Sequence, residues 1–267
     1  MVVNLRRMYV DCRYGQLHVR SAFGSTGGFD ELTPLVCLHD APMSGGTFDA
    51  FLPRLGTNRS VYAPDLPGFG ESDPPQDPPS VADHAAAVGD FLDQLRLRQV
   101  DVLGYRVGAA IAAELAVTRP AQVRRIVMAG APVFDEAERE AFRLQSGPPP
   151  VREDGAHLVE AWTKQLHRRR PGMPLEQVAS DFAEALRNER HAAWALRAVM
   201  DYPATRRLKQ VAQPALVLRL HDDLWDVTPR ARDLLPDVSF VELPDLGFGL
   251  FDIASDVVAG HVRAFLD

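Results

Sequence analysis

The 267-residue sequence is poor in cysteine, and its two thiols, Cys12 and Cys37, lie in different segments without metal-ligand spacing. The apolar run Leu35-Val36-Cys37-Leu38 predicts buried thiols in a reducing compartment rather than a disulfide framework. Lysine is scarcer still in proportion: Lys164 and Lys209 are the only lysines among 29 basic residues, so arginine is the default cation. With a formal net charge of -7 and no evident basic face, the sequence argues against a nucleic-acid surface, which phosphate backbones require to be positive. No apolar run approaches the ~18 residues that span a bilayer, and the opening "MVVNLRRMYVDCRYG" lacks the continuous apolar stretch of a signal peptide. The expectation is a cytoplasmic monomer or homodimer whose partner is a small molecule, with no cofactor and no metal, since no histidine pair has metal spacing beside carboxylates.

What is present is an alternation of short apolar runs with longer amphipathic stretches, the pattern of a mostly parallel sheet covered by helices. It predicts strands at Tyr9–Val10, Gln16–Ala22, Leu35–His39, Ser60–Pro64, Val100–Leu103, Arg125–Ala129, Ala215–Leu220 and Ser239–Leu243. Helices are expected near Thr47–Leu55, Ser80–Leu95, Val107–Thr118, Arg230–Leu235 and Asp256–Leu266, with Ser80 to Asp83 written as a capping box. The alternation breaks after Ala131. From Phe134 to about Tyr202 the sequence is helix-like and charged, interrupted by Ser146-Gly147-Pro148-Pro149-Pro150 and Pro171-Gly172-Met173-Pro174. Here Phe182, Leu186, Trp194 and Leu196 are spaced as an apolar helix face. The expected organisation is a core of residues 1–133 and 204–267 with a helical cap over 134–203.

Three stretches carry a more specific signal: "LVCLHDAP" (Leu35–Pro42), "APDLPGFGESD" (Ala63–Asp73) and "VDVLGYRVGAAIAAELAVTRPAQVRRIVMAGAP" (Val100–Pro132), followed at the end by "LPDLGFGLFDIASDVVAGHVRAFLD". In this order they resemble the α/β-hydrolase superfamily, in its cap-bearing group, over nearly the whole chain. The resemblance implies an eight-stranded, mostly parallel sheet flanked by helices, with the cap inserted after strand 6. It also implies a Ser, Asp or Cys nucleophile at a strand-to-helix elbow, a histidine base and an acid that orients it.

Position by position, the chain departs from that pattern. Gly104-Tyr105-Arg106-Val107-Gly108 keeps the elbow glycines but puts Arg106 at its apex, and Phe248 in Gly247-Phe248-Gly249 takes the histidine's place. Asp223 is the expected surviving acid, with Asp222 adjacent. Asp40 replaces the glycine of the oxyanion loop. A guanidinium stays protonated up to about pH 12 and cannot attack a carbonyl, and phenylalanine cannot move a proton. Covalent acyl-enzyme hydrolysis is therefore excluded by residue type.

A buried cation needs a partner. Arg106 is weighed evenly as an internal ion pair with Asp40 or Asp223 and as a clamp for a ligand carboxylate, phosphate or enolate. His39 fits the superfamily's structural histidine better than a proton carrier. His221, beside Asp222 and Asp223 at the strand end, is a candidate general base. The amides of Val107 and the Asp40–Ala41 loop are candidate ligand contacts. Tyr105, Phe48, Trp225, Phe248 and Phe251 place aromatic surface around the pocket and point to a mainly apolar ligand with one anionic or carbonyl end. Arg168-Arg169-Arg170 reads as a solvated helix end, and His18, His84 and His261 as surface residues.

Two functions are carried forward. One is an enzyme of lyase, isomerase or cyclase type, or one adding water by general base, acting on a small carbonyl or carboxylate metabolite held by Arg106. The other is a non-catalytic ligand binder, as the superfamily's fold provides in plant hormone receptors. An unconventional hydrolase is the remaining alternative.

Overall fold

The computed structural model describes residues 3, 5–24, 32–144 and 151–267. Eight strands form one sheet: β1 (Leu5–Cys12), β2 (Gly15–Ala22), β3 (Leu32–Leu38), β4 (Arg59–Pro64), β5 (Val100–Tyr105), β6 (Val123–Ala129), β7 (Ala215–Leu220) and β8 (Val238–Leu243). Their order is β1-β2-β4-β3-β5-β6-β7-β8. Only β2 runs antiparallel to its neighbours; every pairing from β4 to β8 is parallel. Strands β4 and β5 are buried at every position, as strands covered on both faces must be.

The helices are α1 (Leu52–Leu55), α2 (Val81–Gln94), α3 (Val107–Thr118), α4 (Glu136–Leu144), α5 (Ala156–Arg168), α6 (Leu175–Arg187), α7 (Glu189–Asp201), α8 (Ala204–Leu208), α9 (Leu250–Ile253) and α10 (Ser255–Leu266). Successive residues of β3 point to opposite faces, and they divide the core into two layers. Val36 and Leu38 join Val88 and Phe91 of α2 and Ile111 of α3. Leu35 and Cys37 join Phe48, Phe51, Phe251 and Val258 on the other face. Cys37 is buried and Cys12 half-buried, both as free thiols.

The Ser80–Asp83 capping box is formed in both directions at the start of α2. Differences from the sequence reading have local causes. The expected helix at Thr47–Leu55 is a 3-10 turn over Gly45–Phe48, capped by the Ser44 hydroxyl, and then the short α1 with Pro53 in its first turn. The Arg230–Leu235 helix is instead a 3-10 segment at Thr228–Asp233, opened by Pro229. Phe182 and Leu186 lie on α6 while Trp194 and Leu196 lie on α7, so the single apolar face is two helices joined at Asn188. The Asn188 amide donates to the Pro42 carbonyl at 2.8 Å, which ties that joint to the loop after β3. His18 and His84 are buried, not exposed. His18 Nδ1 pairs with Asp65 at 2.9 Å, and burial lowers the His84 pKa to about 4. Among the described residues no helix is long and apolar enough to cross a membrane.

Candidate active site

The chain turns from β5 into α3 through one strained residue. Arg106 has φ 52° and ψ -101°, a conformation that costs a non-glycine residue roughly 1–3 kcal/mol. Gly104 and Gly108 permit it: a Cβ on Gly104 would strike the Gly108 carbonyl, and one on Gly108 the Leu38 carbonyl. The turn therefore holds the Arg106 side chain above the ends of the parallel strands, where open α/β sheets place their ligands.

That side chain is engaged on two sides. Arg106 Nε donates to Asp40 Oδ2 at 2.8 Å and Nη1 to Asp222 Oδ2 at 2.7 Å. The arginine side chain is 12 % exposed, Asp40 11 % and Asp222 0 %, so this is a desolvated ion triad. Burial alone would pull the guanidinium pKa down, but Asp40 and Asp222 outweigh it and push it up. Asp40 is raised, because burial exceeds the opposing pull of Arg106 and of the amides that bond it. Its second oxygen, Oδ1, accepts the Val107 N–H at 3.2 Å. Val107 follows the elbow residue, so its amide is one that could otherwise receive a developing oxyanion. An internal carboxylate fills that place.

The other expected site residues fall into two groups. Ala41, Tyr105 and Phe248 line a cavity of about 760 Å³ above the elbow, together with Asp40 and Arg106. His39, Val107, His221 and Trp225 do not. His39 is fully buried; its Nε2 accepts the Leu66 N–H at 2.8 Å and its Nδ1 lies 2.8 Å from the Asp40 carbonyl, which fixes the loop. His221 faces outward, exposed, with Nδ1 bonded to the Pro244 carbonyl at 2.8 Å, which removes it as a general base for this cavity. Trp225 stacks on Arg219 at 3.8 Å, away from the site.

The two adjacent acids after β7 part company. Asp222 turns inward, its Oδ1 accepting the Leu224 amide. Asp223, the expected acid, is 55 % exposed, bonds Arg168 at 2.8 Å and stands 4.0 Å from Arg106. The phenyl ring of Phe248 lies between two guanidiniums, 5.1 Å from Arg106 and 4.9 Å from Arg168. The Arg168–Arg170 run closes α5 with Arg169 exposed, and it is also bonded locally: Arg169 Nε bonds the Met173 carbonyl and Arg170 bonds the His221 carbonyl. The two serines of the neighbouring loops are held by local bonds. The Ser44 hydroxyl accepts from Gly46, and Ser72 Oγ donates to the Asp65 carbonyl.

The cavity lining mixes apolar and charged surface. Charged side chains crowd its lining, among them Asp49, Asp181, Glu184, Asp252 and Lys164, which no local motif singled out. They come from the 3-10 turn region, α5, α6 and α9, so only folding brings them together. Among the described residues no cluster of His, Cys, Asp and Glu is arranged for a metal ion.

The chain belongs to the alpha/beta hydrolase fold family, whose model matches residues 33–252. It is 41 % identical over 83 residues to a 2-hydroxymuconate semialdehyde hydrolase of Pseudomonas sp. (strain CF600), a match covering 30 % of this chain and 28 % of that protein. It is 37 % identical over 81 residues to a 2-hydroxy-6-oxo-2,4-heptadienoate hydrolase of Pseudomonas putida, covering 30 % and 29 %. The chain thus spans under a third of the length of these curated relatives. Among solved structures, a membrane phospholipase A superposes with TM-score 0.80 at 24 % identity over 98 % of this chain and 86 % of its own. The enol-lactonase of Burkholderia xenovorans gives 0.78 at 17 %, over 97 % and 99 %. At such identities the structural likeness concerns the fold.

Proposed function

We propose that this family member moves protons on a small carbonyl metabolite and forms no acyl-enzyme. Asp40 is its acid–base group, and Arg106 positions Asp40 from the place where relatives carry a nucleophile. One observation carries this reading: the Asp40 carboxylate is bonded at once to the Arg106 guanidinium and to the Val107 amide. Covalent acyl transfer has then neither an attacking atom nor a free amide at that position. Proton transfer needs neither. It needs a carboxyl that borders the cavity and whose pKa is raised toward the working pH, and Asp40 fits both conditions. Arg106 lines the cavity too, but its Nε and Nη1 are bonded to Asp40 and Asp222, so in this reading it supports the base and does not clamp the ligand.

The reaction class is that of an isomerase, lyase or cyclase. The methyl ester of 2-hydroxymuconate semialdehyde, the compound for which relatives are named, is the test compound, because it carries an enol and an aldehyde and no free carboxylate. Its enol-to-keto conversion requires only a proton donor and acceptor. The expected outcome is keto product with the carbon skeleton intact, slowed by about 10²–10⁴-fold in Asp40→Asn, with no labelling by fluorophosphonates and no p-nitrophenyl ester hydrolysis. Shortened products or a fluorophosphonate adduct would overturn the proposal. Binding without turnover is the second reading, and the closed Arg106–Asp40–Asp222 triad supports it too; recovery of every test compound unchanged would favour it.

A further inference from the structure

The hydroxyl of Tyr105 is the polar group the site leaves open. Tyr105 is 4 % exposed, lines the cavity beside Arg106, and makes an edge-to-face contact with Phe251 at 5.3 Å. Among the described residues its hydroxyl has no hydrogen-bond partner. The hydroxyl is not sealed in the core but opens on the cavity, where an acceptor that arrives with a ligand can take its hydrogen bond. Burial raises the phenol pKa, so the group is a neutral donor. Next to it, two carboxylates surround one guanidinium, which leaves excess negative charge. A neutral carbonyl oxygen suits that donor, and a carboxylate does not.

The cavity wall carries charges of both signs, and its carboxylates are unevenly compensated. Asp49 has Arg20 at 2.8 Å. Asp181 of α6 has only the neutral Gln177 amide at 2.8 Å, and the Asp252 side chain, on α9, has no hydrogen-bond or ion-pair partner among the described residues. Asp181 and Asp49 repel charge on Asp252, and burial acts in the same direction, raising its pKa to about 6. Lys164, Arg168, Arg169 and Arg187 line other parts of the cavity, but among the described residues none pairs with Asp181 or Asp252, so a cation that enters beside these half-buried carboxylates stabilises them.

We infer that the ligand of this cavity is a carbonyl compound bearing an ammonium group, with its oxygen on the Tyr105 hydroxyl and its cation between Asp252 and Asp181. The inference rests on the reading of this cavity as the ligand site of the proposed function. Binding alone tests it, so its failure is distinguishable from failure of the Asp40 proton transfer.

The probes are 4-(aminomethyl)acetophenone, acetophenone, benzylamine and 4-acetylbenzoate, titrated calorimetrically at pH 7.5 into the full chain. The aminomethyl ketone is expected to bind about tenfold tighter than acetophenone or benzylamine, and 4-acetylbenzoate weakest of all. Asp252→Asn or Asp181→Asn reduces the preference over acetophenone to roughly threefold or less, and Tyr105→Phe does the same to the preference over benzylamine. Each variant is first shown to be folded by a cooperative thermal transition well above the titration temperature. Asp40→Asn, which stops proton transfer, leaves the aminomethyl ketone the tightest of the three neutral-carbonyl and ammonium probes. Absence of binding by all four, tighter binding of the carboxylate, or preferences that survive in the folded variants would overturn the inference.

Discussion

Strand β5 carries a buried guanidinium–carboxylate cluster at each end, and the two ends use it differently. At its start, Asp101 is fully buried between Arg124, which bonds both its oxygens at 2.9 and 2.6 Å, and Arg59, whose Nη1 is 3.6 Å away. At its finish, Arg106 stands between Asp40 and Asp222. Asp101 and Arg106 are roughly 16 Å apart at a strand rise of about 3.3 Å per residue. The first cluster is closed by the chain itself: Arg59 bonds Asp267, and Arg124 bonds the Leu266 carbonyl at the end of α10. The second opens on a cavity of about 760 Å³. Buried ion pairs alone therefore do not mark a site in this arginine-rich chain. What distinguishes the upper cluster is its strained backbone, the occupied Val107 amide and the space above it.

The comparison is broken most severely by Arg106→Met. It leaves Asp222 fully buried and Asp40 nearly so without a cation, and such loss of one partner costs about 3–5 kcal/mol. Urea denaturation at pH 7 should show this, with much of it regained when Asp40→Asn and Asp222→Asn are added. Recovery identifies the uncompensated carboxylates as the cause; a neutral single variant would show that the triad contributes nothing to folding.

Arg59→Met tests the other end and has a smaller expected effect. Arg59 is 0 % exposed, yet its Nε and Nη1 have no hydrogen-bond partner, and Asp101 keeps Arg124 when it goes. The expected loss is about 1–3 kcal/mol in the same denaturation experiment, with unchanged affinity for the probe ketones. A loss of ligand affinity as large as that of a cavity variant would show that the two ends are coupled.

How much of this is legible in the sequence depends on how far apart the cooperating residues lie. The inner strands show as apolar runs, because β4 and β5 are buried at every position and β3 divides its side chains between two apolar layers, whereas β1, exposed along most of Leu5–Cys12, shows only at Tyr9–Val10. The 3-10 segments did not show, since Ser44, Pro53 and Pro229 alter the turn geometry within an otherwise helical pattern. At the elbow, residue type alone singles out Arg106 and Asp40. The choice between Asp222 and Asp223 is not written there: they are neighbours, and only the direction of the loop after β7 buries one and exposes the other. The acidic wall is the least legible, because Asp49, Asp181 and Asp252 each look like ordinary surface acids until α6 and α9 face one cavity.

Asp252 gives the smallest expected effect, and its sign is determined by linkage. An unfolded aspartate titrates near 3.9, whereas folded Asp252 is raised to about 6 by burial and by Asp181 and Asp49. The folded chain thus holds that proton more tightly. The associated stability is complete below about pH 3.9 and is lost as pH rises through about 6. Asp252→Asn, which imitates the protonated acid, should raise Tm on the order of 1–2 °C at pH 7.5, with the difference closing toward pH 4. The window is broad because neighbouring carboxylates titrate together with it. Saturating 4-(aminomethyl)acetophenone should reverse the comparison at pH 7.5. The ammonium then compensates Asp252 in the wild type and finds no charge there in the variant, so the wild type gains more from the ligand. An equal gain in both proteins would separate the acidic wall from ligand binding and leave Asp252 as a tolerated burden on folding.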